Sequence, residues 1–154
     1  MRSKQPNSYY CFICGRKSPV GLKMSFYNTG PGEVTAEHTV PDIYQGYPGI
    51  VHGGITAAMM DETAGRAVMS DGEFQFFVTL KLEIKYRQPV PTETPLKIIG
   101  RLTSVRGRRA TCHGEIRLPD GSVAAEAELL LMRVPESLME DVDPEALGWR
   151  VYDD

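Results

Sequence analysis

The run from Gly53 to Ser70, GGITAAMMDETAGRAVMS, constrains the fold of this chain more than any other stretch. It is built from good helix formers without proline, and small or apolar residues fall on nearly every side: Ile55, Ala57, Ala58, Met59, Met60, Ala64, Ala67 and Val68. A helix apolar all round is expected to be buried all round. Its charges are Asp61, Glu62 and Arg66, and Glu62 with Arg66 has the i,i+4 spacing of a stabilising pair. Asp71-Gly72 then marks a turn.

What buries this helix must come from the rest of the chain, and the second half reads as strands. Phe76–Arg87 sets Val78, Leu80, Leu82, Ile84 and Tyr86 against Thr79, Lys81, Glu83, Lys85 and Arg87, a period of two. Leu96–Val105, Arg108–Leu118 and Ser122–Val134 follow, with tight turns at Val105–Arg108 and Pro119–Gly121. Four successive strands joined this way predict a curved antiparallel meander. One buried helix and a large antiparallel sheet have one economical arrangement, an α+β domain in which the sheet wraps around the helix. Upstream, Glu33–Val40 alternates as a strand, Leu22–Tyr27 is a shorter candidate, and the Gly- and Pro-rich stretch Pro41–Val51 is a loop. Residues 1–20 read as an irregular segment laid onto the body by its aromatics, 21–135 as the domain proper, and 136–154 as an acidic tail. That tail holds seven acids and one base, which leaves residues 1–135 with 16 bases and 13 acids. A solvated terminus is the expectation, although Leu147 and Trp149 would allow a short docked helix.

Composition narrows the function. With 154 residues and a net charge of −3, the chain fits one soluble domain and shows no electrostatic signature of a nucleic-acid binder. No apolar run approaches a membrane span, and the polar start MRSKQPNS is not that of a signal peptide, so a cytoplasmic location is expected. Three cysteines argue against a disulfide framework. Cys11-x-x-Cys14 is half of a zinc site or a redox pair, but Cys112 and His113, adjacent on a strand, point to opposite faces and cannot both complete it. Reduced, packed cysteines and no metal are the expectation. The signatures G-x-S-x-G, Walker A and HExxH are absent from the sequence.

The residues Gly46-Tyr47-Pro48-Gly49-Ile50-Val51-His52-Gly53-Gly54, followed by a helix with an acid nine residues after the His, are specific. Together with VTLKLEIKYRQPVP (78–91), AEAELLLMRV (125–134) and the opening CFICGRKSPVGLKMSFY, this pattern resembles the hot-dog-fold acyl-CoA thioesterases of the phenylacetate-degradation (PaaI-like) branch. The resemblance implies a curved antiparallel sheet wrapped around one long central helix, acyl-CoA as substrate and no cofactor. Asp61 falls on the position of the family's nucleophile or general base. The alternative for Asp61 is an acid paired with Arg66 or capping a loop. Thioester hydrolysis needs a polarised carbonyl and a delivered nucleophile. Gly53 and Gly54 sit at a helix N-terminus, where unpaired amides make an oxyanion site; paired glycines also simply make a tight helix entry.

Gly54 and Asp61 lie seven residues apart, hence ~10 Å along a helix, whereas a catalytic group must come within ~3 Å of its target. One helix cannot place both on one thioester carbon. If both act, they come from two copies across a two-fold axis, and the family's dimers and dimers of dimers agree with a homodimer here. His52 either orients the loop, assists the substrate carbonyl or is structural. Thr79 matches a family Ser or Thr that helps hold water, yet alternation sets it opposite Val78 and Leu80, so it serves only at a partner's border or beside a bulge. Where some members carry Asn or Gln six residues before the motif His, this chain has Gly46, with Gln45 one residue earlier as a substitute. The GYPGIVHGG form is closer to a long-chain acyl-CoA-like subgroup. The resemblance also places Tyr86, Arg87, Gln88, Pro89 and the Arg106-Gly107-Arg108 hairpin at the nucleotide; a solvated basic hairpin is the plainer alternative. Two rivals stand beside the thioesterase: a hot-dog hydratase or dehydratase, and a non-catalytic acyl-CoA-binding or sensing domain.

Overall fold

His52 decides where the central helix starts. In the computed structural model, which describes residues 2–70 and 75–154, the His52 ring accepts the Gly54 amide and caps helix α1, Gly53–Gly65. The helix runs through Ala- and Met-rich sequence and loses α geometry at Gly65, tightening into a 3₁₀ turn over Arg66–Met69. The single α-helix expected over 53–70 is therefore shorter by one turn, and the turn expected at Asp71-Gly72 lies outside the described residues.

One face of α1, formed by Thr56, Met59, Met60, Thr63 and Ala64, is buried at helical spacing. The opposite side, including Ala57, Ala58, Asp61, Glu62 and Gly65, is only half-buried. Burial on every side is thus corrected for the single chain: a sheet has one inner face and covers one side of a helix.

That sheet is seven-stranded and antiparallel, in the order β1-β2-β3-β5-β6-β7-β4. Its strands are β1 (Ser3–Lys4), β2 (Tyr27–Gly30), β3 (Glu33–Thr39), β4 (Phe77–Tyr86), β5 (Pro95–Arg106), β6 (Arg109–Arg117) and β7 (Val123–Arg133). The helix packs closest where the sheet has no side chains. A Cβ at Gly100 of β5 would lie 2.5 Å from the Thr63 carbonyl oxygen, and one at Gly114 of β6 would touch Ala64 at 3.4 Å. The core between them holds Met24, Phe26, Met59, Met60, Leu96, Ile98, Ile116 and Leu131.

Two expectations fail here for physical reasons. The four-strand meander is a three-strand one, β5-β6-β7, because β4 pairs with β7 and not with β5. The tight turns at Gly107 and Gly121, both at positive φ, join β5 to β6 and β6 to β7. The connection from β4 to β5 is longer, carries Pro89 and Pro91, and takes the chain from the edge past β7 and β6 to the middle of the sheet. Of Leu22–Tyr27 only Tyr27 joins a ladder, as the first residue of β2; Lys23 sits at φ +55°, and Leu22 and Met24 donate instead to the Phe12 and Ile13 carbonyls.

The ends of the chain meet. Asn7 and Tyr9 amides donate to the Arg150 and Leu147 carbonyls, and Arg66 stacks between Phe26 and Trp149, its guanidinium 4.1 and 5.2 Å from the two ring centres. The acidic tail is anchored over Leu147–Arg150, without a helix longer than the 3₁₀ turn at Glu136–Leu138 among its residues. Among the described residues no helix is long and apolar enough to cross a membrane.

Candidate active site

The loop before α1 builds the first of two candidate clusters. Gly46 and Ile50 amides close it on the Ile50 and Tyr47 carbonyls, Gly49 takes the φ of +75° the turn requires, and Val51 is pinned to the Val90 carbonyl. These bonds deliver His52 to the helix end. Its Nδ1 accepts the Gly54 N–H at 2.9 Å, which engages one of the two amides expected at an oxyanion site. Gly53 is exposed at the helix start, and its carbonyl accepts the Tyr86 hydroxyl at 2.7 Å. Burial holds the Tyr86 phenol above its ordinary value of 10.0, so at neutral pH it remains the donor.

Gly46, Tyr47, Ile50, His52, Gly53, Thr56, Tyr86, Arg87, Gln88 and Pro89 line one cavity. Thr56 is a residue that sequence reading missed. Its hydroxyl is buried at the cavity with no hydrogen-bond partner among the described residues, and a threonine within a helix gives no signal of that. Arg87 pairs with Glu126 at 2.6 Å and Gln88 donates to Ser122, so both are oriented by β7 and the turn before it. Gln45 is outside this lining; its Oε1 accepts the Gly49 amide at 3.3 Å and braces the loop.

The second candidate cluster lies two helical turns away. Asp61 lines a separate cavity with Glu62, Gly65, Arg66, Phe77, Thr79, Leu131 and Trp149. Thr79 Oγ1 donates to Asp61 Oδ1 at 2.7 Å. The contact exists because β4 is bulged: Thr79 faces Leu131 and Lys81 faces Leu130, so Leu80 is the extra residue. Phe77 and Thr79 before the bulge face the helix, and Leu82 and Ile84 after it do the same. The unbroken alternation read over 76–87 is therefore corrected. Val78 and Leu80 turn outward, 50% and 48% exposed, on the edge strand of the sheet. Glu62 takes the Arg66 Nε–H at 2.9 Å, which leaves Asp61 without the arginine.

Arg106, Gly107 and Arg108 belong to neither cavity. They form the β5–β6 turn, where the Arg108 carbonyl accepts the Arg133 amide, beside the Phe77 end of β4. Tyr86–Pro89 lie at the other end of that ten-residue strand, ~30 Å away. In one chain the structure brings together His52, Gly53, Gly54, Tyr86, Arg87, Gln88 and Pro89, and separately Asp61 and Thr79.

Residues 48–125, half of the chain and holding both cavities' helix, match the family model described as the thioesterase superfamily. The chain belongs to the thioesterase superfamily. It has the hot-dog fold: it superposes on the crystal structure of a thioesterase superfamily protein with a TM-score of 0.73, at 32% identity over 80% of this chain and 63% of that one. It also matches the structure of a hypothetical thioesterase protein with coenzyme A from Streptococcus pneumoniae, with a TM-score of 0.66 at 22% identity over 72% of this chain and 85% of that one. Among curated proteins it is 37% identical over 65 residues to the acyl-coenzyme A thioesterase THEM4 of Rattus norvegicus, which is 42% of this chain and 27% of that protein. The matched part spans between about a quarter and about half of the curated relatives' own length, 27% to 53%.

Proposed function

We propose that this thioesterase-superfamily chain hydrolyses an acyl-CoA thioester to the free acid and CoA, in a site shared between two copies of itself. One observation carries the reading: Asp61, held by Thr79, and the helix-end cradle of Gly53, His52 and Tyr86 occupy separate cavities at opposite ends of one helix. Each is half of what the reaction needs. Two copies related by a two-fold axis, joined along the edge strand β4 through its outward Val78 and Leu80, bring one copy's Asp61 toward the other's cradle. The same operation carries the Arg106–Arg108 turn of one copy toward Tyr86–Pro89 of the other, a basic rim for the phosphates of CoA. The acyl-coenzyme A thioesterase activity named for THEM4 and the coenzyme A in the Streptococcus pneumoniae structure support this substrate class.

Thr79 donates to Oδ1, which leaves Asp61 Oδ2 to take a proton from water or to attack the thioester carbon. The oxyanion that forms is stabilised first by the Gly53 amide, and by the Gly54 amide when the His52 ring yields it. The oxyanion collapses, expelling the CoA thiolate, which is protonated from solvent; on the water route the acid is released at once, and on the direct-attack route water then hydrolyses the Asp61–acyl anhydride to the acid and free Asp61. The engaged Gly54 amide is also the observation that favours the binding-only rival.

A panel of aliphatic and aromatic acyl-CoAs, assayed for CoA release with wild type and Asp61→Asn, tests the proposal. Hydrolysis by the wild type with loss of ~10²–10⁴ in rate for the variant is expected. Tight acyl-CoA binding without turnover by the wild type would establish the binding-only reading instead.

A further inference from the structure

A second cluster of chemical groups sits behind Asp61, and thioester hydrolysis does not use it. At Cys11–Gly15 the chain makes a sharp turn in which the Ile13 and Cys14 amides both donate to Cys11 Sγ at 3.4 Å, and the Gly15 amide donates to the Cys11 carbonyl at 2.7 Å. The turn is tight enough that a Cβ at Gly15 would lie 2.3 Å from that carbonyl oxygen. It sets both cysteine sulfurs on one side, with Cys14 1% exposed. The third donor comes from α1: a Glu62 carboxylate oxygen and the two sulfurs all lie within 4.8 Å of one another. Metal–sulfur bonds of ~2.3 Å and metal–oxygen bonds of ~2.0–2.2 Å put tetrahedral donors ~3.3–3.8 Å apart, so these three atoms need shifts of only about 1 Å to share a cation.

The surroundings fit in charge as well as in shape. Two thiolates and a carboxylate carry three negative charges, and a divalent cation leaves one. The Arg66 guanidinium, whose side chain is 3% exposed, donates to Glu62 at 2.9 Å and cancels it. Arg66 is thereby an outer partner that orients a carboxylate ligand. Its Nη2 is buried with no partner among the described residues.

We propose that Cys11, Cys14 and Glu62 bind a thiophilic divalent cation, zinc by the softness of two sulfurs and the borderline fit of one carboxylate, with water in the fourth position. On binding, the two thiol protons pass to solvent and two metal–sulfur bonds form. The cation ties the N-terminal segment to the residue next to Asp61, and so braces the helix that carries it. It departs from the no-metal expectation from sequence, because the third donor, Glu62, lies far along the chain from Cys11 and Cys14 and reads there as the partner of Arg66. The inference rests on its own residues and stands whether or not Asp61 hydrolyses a thioester.

The test uses the full chain, reduced, stripped with chelator and titrated with Zn²⁺ against a chromogenic competitor, then with Co²⁺. One zinc per chain and a cobalt–thiolate charge-transfer band are expected, both lost in Cys11→Ser and Cys14→Ser and unchanged in Cys112→Ala. Glu62→Gln, which can keep a hydrogen bond to Arg66, should weaken zinc by more than the ~10–100-fold that loss of an outer partner costs. A folded, reduced wild type that takes up no zinc overturns the proposal. So does unchanged zinc affinity in Glu62→Gln.

Discussion

A hydrogen bond of 2.7 Å from Thr79 engages Asp61 Oδ1 and, in the proposed reaction, leaves Oδ2 for the chemistry. A hydrogen bond to a charged group is worth ~1.5–3 kcal/mol, so Thr79→Val should lower kcat roughly 10–100-fold with little change in KM. Thr79→Ser should restore most of it, and steady-state kinetics on CoA release reads both. His38 offers a test in stability. Burial holds its imidazole below the ordinary 6.5, and its Nε2 is enclosed without a partner among the described residues. As pH falls through 6.5, the unfolded chain takes up a proton that the folded chain resists. Folding stability therefore declines from about pH 7 downward until the lowered folded value is passed. In His38→Asn, the loss of Tm between about pH 7 and pH 5 should shrink, as measured by thermal unfolding at the two pH values.

At the scale of elements, the helix and the sheet meet through missing side chains. Gly100 admits the α1 backbone where a Cβ would stand 2.5 Å from a carbonyl oxygen. Gly100→Ala must push the helix off β5, and overpacking of this kind costs ~1–3 kcal/mol, visible as a lower denaturation midpoint. The bulge at Leu80 is the other decisive detail, since it alone lets Thr79 and Leu82 face the same helix. The alternation of Val78, Leu80, Leu82 and Ile84 is regular in the sequence, and nothing in it marks the extra residue. Bulges are set by what the strand must reach, here Asp61 on one side of the break and the core on the other.

At the scale of the whole molecule, the two separate cavities make the proposed shared site testable. In the two-fold dimer we propose, each site would take its cradle from one copy and Asp61 from the other. Asp61→Asn and Gly53→Val chains, inactive alone, should recover about a quarter of wild-type activity when refolded together at equal ratio, because half the dimers are mixed and each holds one intact site. Failure to recover any activity, with mixed dimers demonstrated by mass spectrometry, would remove the shared site. Val78→Lys with Leu80→Lys should yield monomers by sedimentation and lose activity in step, since a charge placed along an edge strand opposes pairing there.

What the sequence determined by itself was local and periodic. The helix after His52-Gly53-Gly54, the long strands, the two glycine turns and the family pattern around Asp61 all depend on neighbours within a few residues, and they are legible for that reason. Strand order was not, because β4 joining β7 depends on where the Arg87–Thr94 connection crosses. Nor was the meeting of Cys11 and Cys14 with Glu62, about fifty residues on in the chain, since only packing the N-terminal turn against α1 brings them within 4.8 Å. The tertiary structure also decided that Gly53 and Asp61 open into different cavities, because a helix holds its ends apart by a fixed rise per residue.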